Sequence, residues 1–139
     1  MSDDRIEALR AVPLFREFSE KDLRKLLEIA KEVAHRDGQI FIEEGLAAIA
    51  FHLIVEGNAE ISVGGKVVGT FGPGDYFGEM SLIDGKPRSA SISGVNGLRT
   101  MGISAWNFNR LLDQHPDMMR ALLVVLCDRL RRAESSPHE

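Results

Sequence analysis

Twelve of the chain's 13 glycines fall between positions 38 and 97, and short runs rich in β-branched and aromatic residues stand between them. From about Val33 to Ile103 this is the pattern of a β-barrel or sandwich, with strands punctuated by tight turns. Ala59, Ile61 and Val63 alternate with Glu60 and Ser62. Gly64-Gly65 then forms the two-residue kind of loop that joins antiparallel strands, before Lys66-Val67-Val68. Phe51, Leu53 and Val55 alternate in the same way, and further strands fit near 39–43, 88–94 and 98–103. The fold expected is mainly β, an antiparallel β-roll or jelly-roll barrel with flanking helices.

Helical periods bracket that region. Asp3 to Ala11 reads as a short helix stopped by Pro13. Ser19-Glu20-Lys21-Asp22 has the form of an acidic capping box, and Leu23, Leu26, Leu27 and Ala30 make one apolar face after it. Ser104 is a natural N-cap for a helix through Trp106, Leu111 and Leu112, with Trp106 expected as a core anchor. Pro116 opens a last helix to about Ala133, with Met119, Leu122, Leu123, Leu126 and Leu130 as its core-facing stripe. Met118, Val124, Val125 and Cys127 make its first turns apolar almost all round, so cover on two sides is expected. One domain, 1–139, follows: a helical segment 1–32, a β-roll 33–103, and hinge and lid helices 104–133.

At 139 residues, 44% hydrophobic and 27% charged, the chain has the makings of a single core. A net charge of -4 argues against a protein whose main task is to coat nucleic acid. The longest apolar run, Ala121 to Cys127, is far short of a bilayer span, and the polar start Met-Ser-Asp-Asp lacks a signal-peptide pattern. A cytoplasmic protein is the expectation. The single cysteine, Cys127, sits in an apolar run and reads as a core thiol. Histidines 35, 52, 115 and 138 show no metal-site spacing, and His52 and His115 read as structural or exposed. No nucleophile–base pair stands out, so neither an enzyme nor a cofactor is expected.

The stretch from Gly72 to Ile92 interrupts the β pattern. Gly78 permits close approach of backbone to a ligand, and Glu79 to Ile83 fit one helical turn whose free N–H groups face an anion. Arg88, after a Gly85-Lys86-Pro87 turn, offers a planar fork of donors matched to two phosphate oxygens. A carboxylate at an anion site repels its guest unless it faces a hydroxyl of the same ligand, and a ribose 2′-hydroxyl fits Glu79. Ser89 adds a hydroxyl donor, and small Ala90 leaves its backbone N–H accessible beside the phosphate. The alternative is a structural ion pair between Glu79 and Arg88.

Phe77-Gly78-Glu79-Met80-Ser81-Leu82 and Pro87-Arg88-Ser89-Ala90-Ser91 resemble the phosphate-binding cassette of the cyclic nucleotide-binding domain family. The resemblance extends over nearly the whole chain, through Val12-Pro13-Leu14-Phe15, Gly57, Gly72-Pro73-Gly74-Asp75 and two closing helices. It implies that Glu79 binds the ribose and Arg88 the phosphate. Phe77 and the backbone of Gly78, Met80, Ser81, Ser89 and Ala90 then surround the phosphoribose, and the last helix swings over the base as a lid. Two departures stand out: Ser81 where alanine is commoner, and an apolar segment Gly45 to Ala50 in place of an acidic loop. A covered loop is the plainer reading of the second.

The resemblance thus implies a cAMP receptor, with cGMP as the alternative because Ser89 alone does not choose the base. Arg129, Arg131 and Arg132 are candidates to meet the base, Arg129 first because it adjoins Leu126 and Leu130; a solvated helix end is the equal alternative. A catabolite-activator-type regulator needs a helix-turn-helix after the lid, and only Glu134 to Glu139 remain, so DNA binding by this chain is not expected. Other readings are a regulatory piece of a channel or kinase, or a ligand-free interaction domain of the same fold. A homodimer or a partner protein on the last helix is expected from its surplus apolar surface.

Overall fold

The computed structural model describes residues 4–42, 45, 50–87 and 89–135, with only the backbone of Asp4, Met80, Ser81 and Ser135. Three helical pieces lead in: α1 (Asp4–Arg10), a 3₁₀ turn at Pro13–Phe15, and α2 (Glu20–Ile29). The capping box forms as expected, with Asp22 N–H donating to Ser19 Oγ (3.1 Å) and Ser19 N–H to Asp22 Oδ2 (3.4 Å). The strands are β1 (Lys31–Ala34), β2 (Ile40–Ile42), β3 (Ala50–Val63), β4 (Lys66–Phe71), β5 (Tyr76–Phe77) and β6 (Ser91–Ser104). Helix α3 (Glu79–Asp84) stands between β5 and β6, and α4 (Ala105–Gln114) and α5 (Pro116–Ser135) close the chain.

The antiparallel sheet runs in the order β1-β6-β3-β4, with β2 also on β6 and β5 also on β3. Its axis is the β3–β6 pair, from Ala50↔Ser104 to Ser62↔Ser91. The expected strands at 51–55 and 59–63 are therefore one strand, as are those at 98–103 and the later part of 88–94. Register shifts between Ile54 and Asn58 bend the pair without ending it. At that bend Gly57 (φ +73°) lies against Gly97, so close that a Cβ on Gly57 would stand 2.7 Å from the Gly97 carbonyl and Leu98 Cα. The Gly64-Gly65 hairpin holds as read: Val63 pairs Lys66, and both glycines have positive φ (59° and 81°), as a type I′ turn requires.

Because β3 and β6 span the molecule, each contributes to two cores. Phe51, Leu53, Met101 and Ile103 meet the helices, where Ile6, Leu9, Phe15, Leu23, Leu26, Phe108, Met118 and Leu122 are buried. Ile54, Ala59, Ile92 and Leu98 fill the interior of the roll with Ile42 and Phe77. Ser104 caps α4 by accepting from Asn107 N–H (3.2 Å).

Three expectations about the closing helices are corrected. Trp106 is 67% exposed, with the Arg110 guanidinium 4.6 Å over its ring; the anchor is Phe108, stacked on Phe51 at 4.8 Å. On α5 the buried residues are Met118 and Leu122, whereas Met119, Leu123 and Leu130 are exposed. Cys127 is exposed too, not a core thiol. On α5 the cause is phase. A helix apolar on most sides does not reveal which side is covered; here the turn at His115, whose ring stacks on Phe18 at 4.2 Å, sets the rotation of α5. Of the apolar segment Gly45 to Ala50, residues 46–49 lie outside the described residues. Among the described residues no helix is long and apolar enough to cross a membrane.

Candidate functional site

The turn Gly72-Pro73-Gly74-Asp75 fixes the approach to the site. Asp75 Oδ2 accepts from Gly72 N–H (2.8 Å), and the backbone of Ile54 exchanges hydrogen bonds with Gly74 and Asp75 (2.9 Å each). That clamp aligns β5 on β3, with His52↔Phe77 and Leu53↔Tyr76. Phe77 thereby points into the roll, stacked near His52 (5.4 Å) and buried. Gly78, at φ +99°, turns the chain out of β5 into α3, which begins at Glu79.

Glu79 is 3% exposed. A buried carboxylate needs compensation, and Arg129 Nη1 donates to its Oε1 at 3.0 Å across fifty residues of sequence. The pair is uneven, since the arginine side chain stays 43% exposed while the carboxylate is sealed. Beside it lies a cavity of about 150 Å³ whose apolar wall is Ile42, Ile61, Phe71, Phe77 and Ile92. Its remaining lining is Tyr76, Gly78, Glu79, Ser89, Ala90 and Arg129.

Six of the expected site residues, Phe77, Gly78, Glu79, Ser89, Ala90 and Arg129, therefore line one cavity. Met80 and Ser81 follow Glu79 on α3, and Arg88 lies outside the described residues. Arg129 meets the Glu79 carboxylate. The apolar wall comes from four strands besides Phe77, and inward-facing alternation was its only sequence signal. Tyr76 was missed as well. Burial first, and the Glu79 carboxylate second, raise its phenol above the ordinary value, against a lowering by Arg129.

The profile described as cyclic nucleotide-binding domain matches residues 32–115. The chain belongs to the cyclic nucleotide-binding domain family. Relatives of this domain include the cAMP-dependent protein kinase regulatory subunit of Schizosaccharomyces pombe, 34% identical over 113 residues, which are 81% of this chain and 27% of that protein. A second is the cGMP-dependent protein kinase of Plasmodium berghei, 33% identical over 106 residues, 76% of this chain and 12% of that protein. The domain thus spans about a quarter of the one and about an eighth of the other. Among solved structures, the Thermus thermophilus catabolite activator protein superposes with a TM-score of 0.79 at 26% identity, over 88% of this chain and 60% of that one. A structure described as Sp-2Cl-cAMPS bound to PKAR CBD2 gives 0.76 at 27% identity, over 96% and 94% of the two chains. The jelly-roll fold expected from the sequence is the one observed.

Behind the cavity wall, His35 Nε2 lies 2.9 Å from Oγ1 of the fully buried Thr100, and its ring stacks on Phe41 at 4.0 Å. Burial lowers the His35 pKa from its ordinary 6.5. A histidine less readily protonated in the folded state contributes stability that is fully present above its unfolded pKa and is lost as pH falls through the folded one. The melting temperature of the domain is therefore expected to fall more steeply below pH 6.5 than that of a His35→Gln variant. Parallel melting-temperature profiles for the two proteins would exclude this role.

Proposed function

We propose that the domain is a receptor, not an enzyme, for a cyclic nucleotide, cAMP before cGMP. Glu79 holds the ribose hydroxyl, Arg88 the cyclic phosphate, and the backbone of Gly78, Met80, Ser81, Ser89 and Ala90 surrounds the phosphoribose. The observation that carries this reading is the sealed Glu79 carboxylate on the wall of a cavity inside the roll. A buried acid is retained at an anion site when it has a hydroxyl to recognise, and the ion pair with Arg129 keeps it compensated meanwhile. The cAMP analogue named with a similar structure supports cAMP over cGMP.

The cavity is smaller than the roughly 300 Å³ at the low end of small-molecule sites, so a nucleotide needs the lining to move. Arg129 is the lining residue supplied by α5. Ligand then selects a different placement of α5, and occupancy is reported through that helix by population shift. Its exposed Met119, Leu123 and Leu130 are the surface on which a partner or a second copy reads the change.

Calorimetric titration with cAMP and with cGMP tests the reading. Micromolar or tighter binding is expected, together with a thermal stabilisation of about 2.7 kcal/mol at a hundredfold excess over Kd. Arg88→Ala should lose about 2 kcal/mol of binding, as for removal of a charged hydrogen-bonding partner. The absence of both heat and stabilisation with either nucleotide at millimolar concentration would overturn it.

A further inference from the structure

Tyr76 carries a group that the site as described does not use. Its ring packs near Phe51, 5.4 Å between centroids, on the core side of the cavity. Its hydroxyl is sealed from solvent and has no hydrogen-bond partner among the described residues. An orphaned buried hydroxyl is a cost that a phenylalanine of the same shape avoids, so its presence calls for a second arrangement in which it is used.

The unevenness of the Glu79–Arg129 pair supplies that arrangement. When the pair opens, Arg129, 43% exposed, can complete its solvation in water. Glu79, 3% exposed, cannot, and stays a buried charge in need of a donor. Tyr76 lies three residues before it, lines the same cavity, and has an O–H that nothing else among the described residues accepts. We propose that Tyr76 is the positioning residue for Glu79: its hydroxyl takes over the carboxylate when Arg129 leaves. The ligand-linked part of this rests on the reading of Glu79 as the ribose partner. There the phenol donates to one carboxylate oxygen and leaves the other for the ribose. The effect of both Glu79 and Arg129 on the Tyr76 phenol agrees with this proximity.

A double-mutant cycle on the ligand-free protein tests the exchange without any nucleotide. Tyr76→Phe alone is expected to leave the melting temperature unchanged or slightly raised, because it removes an orphan. In an Arg129→Ala background the same change should lower it by about 3 °C or more, since Glu79 then loses both donors. Equal shifts in the two backgrounds would overturn the proposal. In the titration, Tyr76→Phe should weaken cAMP binding about 5- to 10-fold with no loss of ligand-free stability. Unchanged affinity in a protein that binds cAMP would overturn the ligand-linked part. Failure of the wild type to bind either nucleotide would instead overturn the ribose reading, with the ligand-free cycle still deciding Tyr76.

Discussion

Gly57→Ala is expected to destabilise the protein by about 3–5 kcal/mol, enough to lower its melting temperature by on the order of 15 °C. Two costs combine. Gly57 sits at φ +73°, where an L-residue is strained by about 1 kcal/mol or more. The new Cβ would also stand 2.7 Å from three backbone atoms of Gly97 and Leu98, none of which is the flexible end of a side chain. Relief requires β3 and β6 to separate at their bend, and both cores share those strands. Against a total stability of roughly 5–15 kcal/mol the loss is large. Gly38→Ala isolates the conformational part, because Gly38 has a similar φ (+81°) and nothing within 4 Å of an added Cβ. Urea denaturation of the two variants should give a difference of about 2 kcal/mol or more between them. Equal losses would mean that the strands part at Gly57 without penalty.

Glu79→Ala should weaken cyclic nucleotide binding by about 3 kcal/mol, roughly 100-fold, the upper end for a hydrogen bond to a charged group. The upper end applies because Glu79 is 3% exposed, so water cannot take its place in the proposed contact with a ribose hydroxyl. The ligand-free protein should lose far less. Removing Glu79 also removes the cost of burying its charge, and Arg129, 43% exposed, is readily solvated without it. Binding and stability are thus expected to separate, which calorimetry and chemical denaturation on the same preparation can measure. Affinity within threefold of the wild type would reduce Glu79 to a tether for α5.

Much of this site was legible because its chemistry is local. Gly78 and Glu79 are consecutive, and the turn before them closes on its own Asp75 carboxylate. The capping box and the Gly64-Gly65 hairpin are local in the same sense, set by residues three or fewer apart. Legibility failed where partners are set by register or helix phase. Ile42, Ile61, Phe71 and Ile92 share a wall because four strands bring them together, and no spacing announces it. Trp106 reads as an anchor in the sequence, whereas the buried face of α4 belongs to Phe108, Leu111 and Leu112. Arg129 was placed near the base, and its meeting with Glu79 depends on how α5 is turned at its start.

The way α5 is fastened also sets a mechanical gain. Its fully covered residues, Met118 and Leu122, lie in its first two turns, and it continues to Ser135. At 1.5 Å per residue, Arg129 stands about 10 Å beyond Leu122 along the axis and the end of the helix about 20 Å beyond it. A tilt of about 10° around Leu122 would carry Arg129 roughly 2 Å, enough to part a hydrogen bond, and the far end between 3 and 4 Å. Any such motion at the cavity would therefore be about doubled at the tip of the helix, and a partner bound at that tip would meet the larger displacement.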